Sequence, residues 1–237
     1  MTKSLSIGAA AALGIAGAAF LSTPKPALAA DADHPAVIEL YQSQGCSSCP
    51  PALKVLQTEA DRPEILALNF AVTYWDYLGW KDRFAKPEYT ARQWDYAHAR
   101  GLDQVATPQL IVNGRGHVNG STPAEVQQAL TRWDRGRSGP EIGAANGAVT
   151  LGAAPAAKPA TVWLVDYDPR TIEVPIRAGE NNGRTLPHRN IVTGLTKLGS
   201  WAGKPSRFAL PAAHAGLKRA VLVQDGTGGP IVAARRI

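Results

Sequence analysis

A chain of 237 residues is long enough for two domains of about 100 to 150 residues each. Its formal net charge is +6, but the basic residues are scattered, with Arg132, Arg135 and Arg137 the densest group. Aromatic residues are not interleaved with them, which excludes a nucleic-acid platform, and no stretch reaches the ~20 consecutive apolar residues of a membrane span.

Near the start of the chain Lys3 is followed by an apolar, Ala-rich run from Leu5 to Leu21, and Ala27-Leu28-Ala29 places small residues at both positions that determine cleavage. Residues 1–29 therefore read as a secretory signal peptide cut after Ala29, with an uncleaved anchor as the alternative. Cleavage removes Lys3 and Lys25 and takes the formal charge to about +4. An Ala- and Gly-rich chain behind an export signal points to a bacterial periplasm or to secretion, where a close cysteine pair oxidises by default. The remainder divides into a first domain over 30–134, a linker over 135–147 and a second domain over 148–237.

Ala36-Val37-Ile38-Glu39-Leu40-Tyr41 is rich in β-branched and aromatic residues and predicts a buried strand. Leu53, Leu56 and Ala60 then recur at helical spacing behind Pro50 and Pro51, which a first helical turn tolerates because its N–H groups lack partners anyway. Between strand and helix lie the only two cysteines, in Cys46-Ser47-Ser48-Cys49. Thiols two residues apart can close a disulfide within one turn, and a helix N-terminus favours thiolate, the nucleophile, over thiol. Cysteines so placed titrate between about 3.5 and 7.5, against about 8.5 unperturbed.

Ile65 to Val72 predicts a second strand, and the helix between the two makes the unit parallel with a right-handed crossover. The aromatic segment Tyr74-Trp75-Asp76-Tyr77-Leu78-Gly79-Trp80-Lys81-Asp82 follows, then a helix from Glu88 to about Arg100. Trp75, Tyr77 and Trp80 are candidates for a groove that holds an extended substrate peptide. The alternative is that they and Trp94 pack a helical layer onto the sheet, as large aromatics usually do.

Thr107-Pro108 opens a third strand, which ends at Asn113-Gly114. A C-x-x-C pair followed by a strand-flanked Thr-Pro step resembles the thioredoxin superfamily. The resemblance implies a cis-proline at Pro108, opposite Cys46 and Cys49, and makes Thr107 the position whose backbone hydrogen-bonds an incoming peptide. Asn113 to Gly116 turn the chain into a short strand near His117 and Val118. Thr122-Pro123-Ala124-Glu125 then supplies an N-cap, a proline at the first helical position and a Glu placed for a capping box, starting a helix to about Trp133.

A closer resemblance is carried by Glu39-Leu40-Tyr41, by Ser43 to Pro51, by Tyr74 to Asp82 and by Thr107-Pro108-Gln109. On these residues the chain looks like a member of the exported bacterial family catalogued as domain of unknown function twelve twenty-three. That resemblance implies the fold and no particular reaction.

From Asp134 to Ala160 periodicity gives way to Gly, Ala and Pro, apart from a strand at Ala148 to Leu151. Strands at Thr161–Tyr167 and Thr171–Ile176 flank an Asp-Pro turn, and strands at Ala220–Gln224 and Pro230–Ala233 flank Asp225 to Gly229. Short strands between turn clusters, with no long helix, predict a small all-β, sandwich-like domain. It carries no nucleotide loop, nucleophile elbow or metal motif, so it recognises a partner, positions the first domain or simply packs. The expected class is α/β, a thioredoxin-like domain with a helical insert followed by this β domain.

The leading functional reading is thiol–disulfide exchange with thiols or disulfides of exported proteins, with no cofactor. Cys46 forms the mixed disulfide, Cys49 resolves it and Pro108 shapes the groove. Glu39 is a candidate proton acceptor for Cys49, although the buried acid of the thioredoxin family maps onto Leu40, and strand neighbours face opposite ways. One alternative is a soft-metal carrier, two thiolates binding Cu(I) with His98 or His117 as third ligand. The other is a non-catalytic binding protein in which Cys46–Cys49 is a permanent staple, although closing so short a loop removes little chain entropy.

Overall fold

The computed structural model describes residues 28–237, so the leader expected over 1–29 lies outside the described residues but for Leu28 and Ala29. No helix among the described residues is long and apolar enough to cross a membrane.

Seven consecutive buried residues form β1 (Ala36–Gln42), seven more form β2 (Ile65–Ala71), and α1 (Pro50–Glu59) crosses between them. The strands pair in parallel with Ala36 opposite Ile65, as the strand–helix–strand crossover requires. A 3₁₀ turn at Asp76–Leu78 and α2 (Pro87–His98) follow, then β3 (Gln109–Val112), β4 (Gly116–Val118) and α3 (Pro123–Arg132). β3 runs antiparallel to β1, and β4 antiparallel to β3.

The start of α3 follows its sequence on one side only. Thr122 Oγ1 accepts the Glu125 N–H at 3.3 Å. The Glu125 carboxylate reaches past Thr122 to the N–H groups of Asn119, Gly120 and Ser121, at 3.0 to 3.2 Å. The carboxylate thus ties down the preceding turn, while the backbone N–H of the same residue serves the helix end.

The rest of the described chain is β5 (Ile142–Ala145), β6 (Ala148–Leu151), β7 (Ala160–Asp168), β8 (Ile172–Pro175), β9 (Thr185–His188), β10 (Ile191–Trp201), β11 (Ser206–Ala209), β12 (Lys218–Asp225) and β13 (Ile231–Arg236). Four of these strands extend the first sheet, giving one mixed sheet in the order β13-β12-β7-β10-β2-β1-β3-β4. The join is β10 running parallel to β2, with Ile191 opposite Asn69. It is reinforced by the Asn69 N–H donating to the Asn190 carbonyl at 2.9 Å and by Asn190 Nδ2 donating to the Ala67 carbonyl at 2.8 Å. The described residues therefore form a mixed α/β fold, an eight-stranded sheet with three α-helices. Its hydrogen bonding runs across the boundary expected at 135–147.

Alternation along the strands sorts side chains to two faces. On one, Val37, Tyr41 and Phe70 meet Val165, Tyr167 and Leu222 beneath Tyr89 and Tyr96 of α2, a single core drawn from both ends of the chain. On the other, α1 and α3 cover Ile38, Leu40 and Ala67. At the far end of that face the three-stranded sheet β11-β6-β5 covers Val162, Leu164 and Val221. The β8–β9 hairpin is a separate two-stranded sheet, whose Val174, Ile176 and Leu186 pack against Trp80 of the aromatic segment and Phe84 just after it.

Candidate functional site

The loop from Ser43 to Cys49 joins β1 to α1 and is shaped by its own backbone. The Cys46 N–H donates to the Ser43 carbonyl at 3.1 Å, and the Cys49 N–H to the Cys46 carbonyl at 3.2 Å. Cys46 and Cys49 are joined as a disulfide with their Cα atoms 5.5 Å apart. Gly45 lets the loop lie close to the aromatic segment, since a Cβ there would stand 3.2 Å from Trp75 Cβ.

Cys49 is the N-cap of α1, and Pro50 and Pro51 fill its first two positions, so those positions bring no N–H toward the sulfurs. The Ser47 N–H donates at 3.0 Å to the Glu180 carboxylate. The helix N-terminus therefore offers a Cys46 thiolate fewer donors than its sequence suggests. Ser47 and Ser48 are exposed, whereas both cysteines are fully buried.

The turn facing the pair is Thr107–Pro108, whose peptide bond is cis. Cys46 Sγ lies 3.7 Å from the Thr107 carbonyl oxygen. Ser48 Oγ stands between them, 3.3 Å from the sulfur and 3.4 Å from that oxygen. Trp75 Nε1 donates to Thr107 Oγ1 at 2.8 Å. Gln93, buried on α2, donates through Nε2 to the Ala106 carbonyl and to Gln109 Oε1, both at 2.9 Å. Its Oε1 accepts the Tyr74 hydroxyl at 3.2 Å. Burial pushes that hydroxyl up to about 12, so at neutral pH it stays protonated and donating.

Of the groove candidates, Trp75 thus steadies Thr107, and Trp80 donates through Nε1 to Gln44 Oε1 at 2.8 Å. Tyr77 projects into solvent, 79% exposed.

Glu39 requires a correction. Its side chain lies in the α2 face of the sheet, 2.7 Å from Arg92, and accepts the Tyr41 hydroxyl at 3.3 Å. Arg92 donates as well to Gln224 Oε1 and to the Tyr96 hydroxyl. The cysteine helix packs on the opposite face with Leu40, so Glu39 is a buried ion-pair partner and not the proton acceptor of Cys49.

Of the two histidines considered as metal ligands, His98 stands against the Trp94 ring at 5.3 Å and His117 is on β4 opposite Ile111. Among the described residues no three His, Cys, Asp or Glu side chains gather at metal-binding spacing.

Three residues that the sequence did not single out touch the cysteine loop. Asp82, 1% exposed, accepts the Gln44 N–H at 2.8 Å and the Phe84 N–H at 2.9 Å. Burial, reinforced by the charge of Asp76, pushes its carboxyl up to about 6 against the pull of those N–H groups. Asn181, fully buried, donates through Nδ2 to the carbonyls of Gln44 at 2.9 Å and Cys46 at 2.8 Å. The third is Glu180, whose carboxyl is held below its ordinary range by the Ser47 hydroxyl and backbone N–H. Asp82 was visible only as the last residue of the aromatic segment, and nothing in the aperiodic stretch around 180 pointed to the cysteines.

A family model described as "Protein of unknown function (DUF1223)" matches residues 37–224. The chain is similar to a protein from Agrobacterium tumefaciens solved by X-ray crystallography as a structural-genomics target. The identity is 32% and the TM-score 0.71, with 88% of this chain and 94% of that chain covered. It is similar in fold alone to HBP35 of Porphyromonas gingivalis, at 12% identity and a TM-score of 0.57, over 86% of this chain and 75% of that chain. No curated protein matches the chain.

Proposed function

The chain belongs to the DUF1223 family, whose description assigns no activity, and from its cysteine site we propose that it exchanges disulfides with thiols of exported proteins. The observation that carries this reading is a bonded Cys46–Cys49 pair whose Cys46 sulfur lies 3.7 Å from the carbonyl of the residue before Pro108. Around it, β1, α1, β2, β3, β4 and α3 read as a thioredoxin-like domain with α2 as its helical insert, and residues after 148 as a β domain joined to it. Residues 1–29 act as the leader that delivers the chain to the periplasm or beyond.

In the exchange, a partner thiolate attacks Cys46 Sγ and the Cys46–Cys49 bond breaks. Its electron pair leaves on Cys49, which takes a proton from solvent. A second partner thiolate attacks the mixed disulfide, Cys46 leaves as thiolate, and the partner departs oxidised by two electrons. The reverse sequence reduces a partner. Thr107 and Pro108 line the approach, and the Ser48 hydroxyl, 3.3 Å from the Cys46 sulfur, donates to it once it is anionic. No cofactor enters.

One observation favours a second reading: both cysteines are fully buried, as in a structural bond within a binding protein. The reduction potential of the pair in glutathione or dithiothreitol buffers separates the two. A value between about −120 and −270 mV is expected for exchange, and one below about −300 mV marks a structural bond and defeats the proposal.

A further inference from the structure

A pair that exchanges electrons with another protein must be reachable, yet this one is buried within a loop to which a segment from the second half of the chain is fastened. The segment is the tip of the β8–β9 hairpin, residues 177–184. We propose that this tip is a clasp: Asn181 and Glu180 are positioning residues that hold the cysteine loop closed, and the tip lifts before Cys46 meets a partner. The clasp takes its purpose from the exchange reading.

Asn181 is suited to the task by its chemistry. Its amide donates two hydrogen bonds, to the Gln44 and Cys46 carbonyls, while its Oδ1 accepts from Arg184 at 2.9 Å. An Asp could not donate, and an apolar residue would leave the Gln44 carbonyl without this donor and the Cys46 carbonyl with the Cys49 N–H alone. Glu180 works beside it on the Ser47 N–H, 3.0 Å away. That N–H is a donor a Cys46 thiolate would otherwise attract, and a carboxylate already on it both occupies it and repels the sulfur's charge. With the clasp closed, the oxidised pair is favoured.

The tip is also built to detach. The hairpin is bonded as its own two-stranded sheet, and its buried apolar side chains are Val174, Ile176 and Leu186, with Asn181 and His188 buried beside them; a unit with so small an apolar core opens at low cost. Gly179 and Gly183 carry φ of 72° and 80°, a conformation glycine adopts without strain. Around Gly183 a side chain would meet nothing within 4 Å, which leaves room to turn.

Dithiothreitol tests this on the full chain. Its thiolate attacks Cys46 Sγ and Cys49 leaves; its second thiolate then attacks its own sulfur in the mixed disulfide, closing the oxidised ring and expelling Cys46 as thiolate, so the rate reads how often Cys46 is uncovered. Asn181→Ala is expected to be reduced at least tenfold faster than wild type. Glu180→Ala, altered at an exposed side chain, keeps the fold. It is also reduced faster, and its equilibrium moves about tenfold toward the dithiol, a rise of about 30 mV. Equal rates for wild type and both variants, at unchanged melting temperature, overturn the clasp. A wild-type potential below the range of exchange proteins, with both variants still reduced faster, defeats the exchange reading and leaves the clasp as the cover of a structural bond.

Discussion

Asp82 is the residue beside the cysteine loop whose charge depends most on pH. Its carboxyl, pushed up to about 6 by burial, is still protonated in the folded chain at a pH where the unfolded chain has lost that proton, near 3.9. Folding therefore binds a proton between about pH 4 and 6, and stability from this group falls as pH rises through that window. Two pKa units correspond to about 3 kcal/mol. The stability gap between Asp82→Asn and wild type should move by about that much in the variant's favour from pH 4 to pH 7, read from urea midpoints. A gap independent of pH would show that the pocket leaves Asp82 unperturbed.

Glu39 gives the complementary case. Glu39→Gln leaves Arg92, 5% exposed, without a counter-charge, and breaking such a buried pair costs about 3 to 5 kcal/mol. The expected outcome is a large loss of stability with the cysteine potential unmoved. A changed potential at unchanged stability would restore Glu39 to the site. The doubt over Glu39 was legible in the sequence, because the resemblance maps the family's buried acid onto Leu40 and strand neighbours face opposite ways. The partner of Glu39 was not, because Arg92 comes from a helix whose docking no local pattern specifies.

Among the elements, those with unbroken periodicity were legible: β1, α1, β2 and α3 stand where the sequence put them, as do β7 and β12. β10 was missed although it is 11 residues long. Its register against β7 shifts between Val192 and Gly194 and again between Lys197 and Gly199, and each bulge interrupts the apolar–polar alternation that identifies a strand. β9 was missed because Pro187 lies inside it, a residue that argues against a strand unless the strand is an edge. β9 is one strand of a two-stranded sheet, where that is allowed. The clasp was illegible for the same reason, since it hangs from the strand the sequence concealed.

At the scale of the molecule, the expected division after residue 134 met a sheet that does not divide. A chain ending at 134 would expose the β2 edge that pairs with β10, and would strip Val165, Tyr167, Val192 and Leu222 from the core beneath α2. Residues 30–134 expressed alone should therefore lack the cooperative unfolding of the full chain and should aggregate. A monomeric fragment with a sharp urea transition would instead establish the first domain as self-sufficient.

The order of the strands also sets an order in time. Synthesis delivers β2 long before Ile191, its neighbour across the sheet, so the nascent chain carries an unpaired strand edge at its centre until β10 emerges. Such an edge is a template for any other extended chain. Until the second half of the chain reaches the first, that edge is open to a stranger.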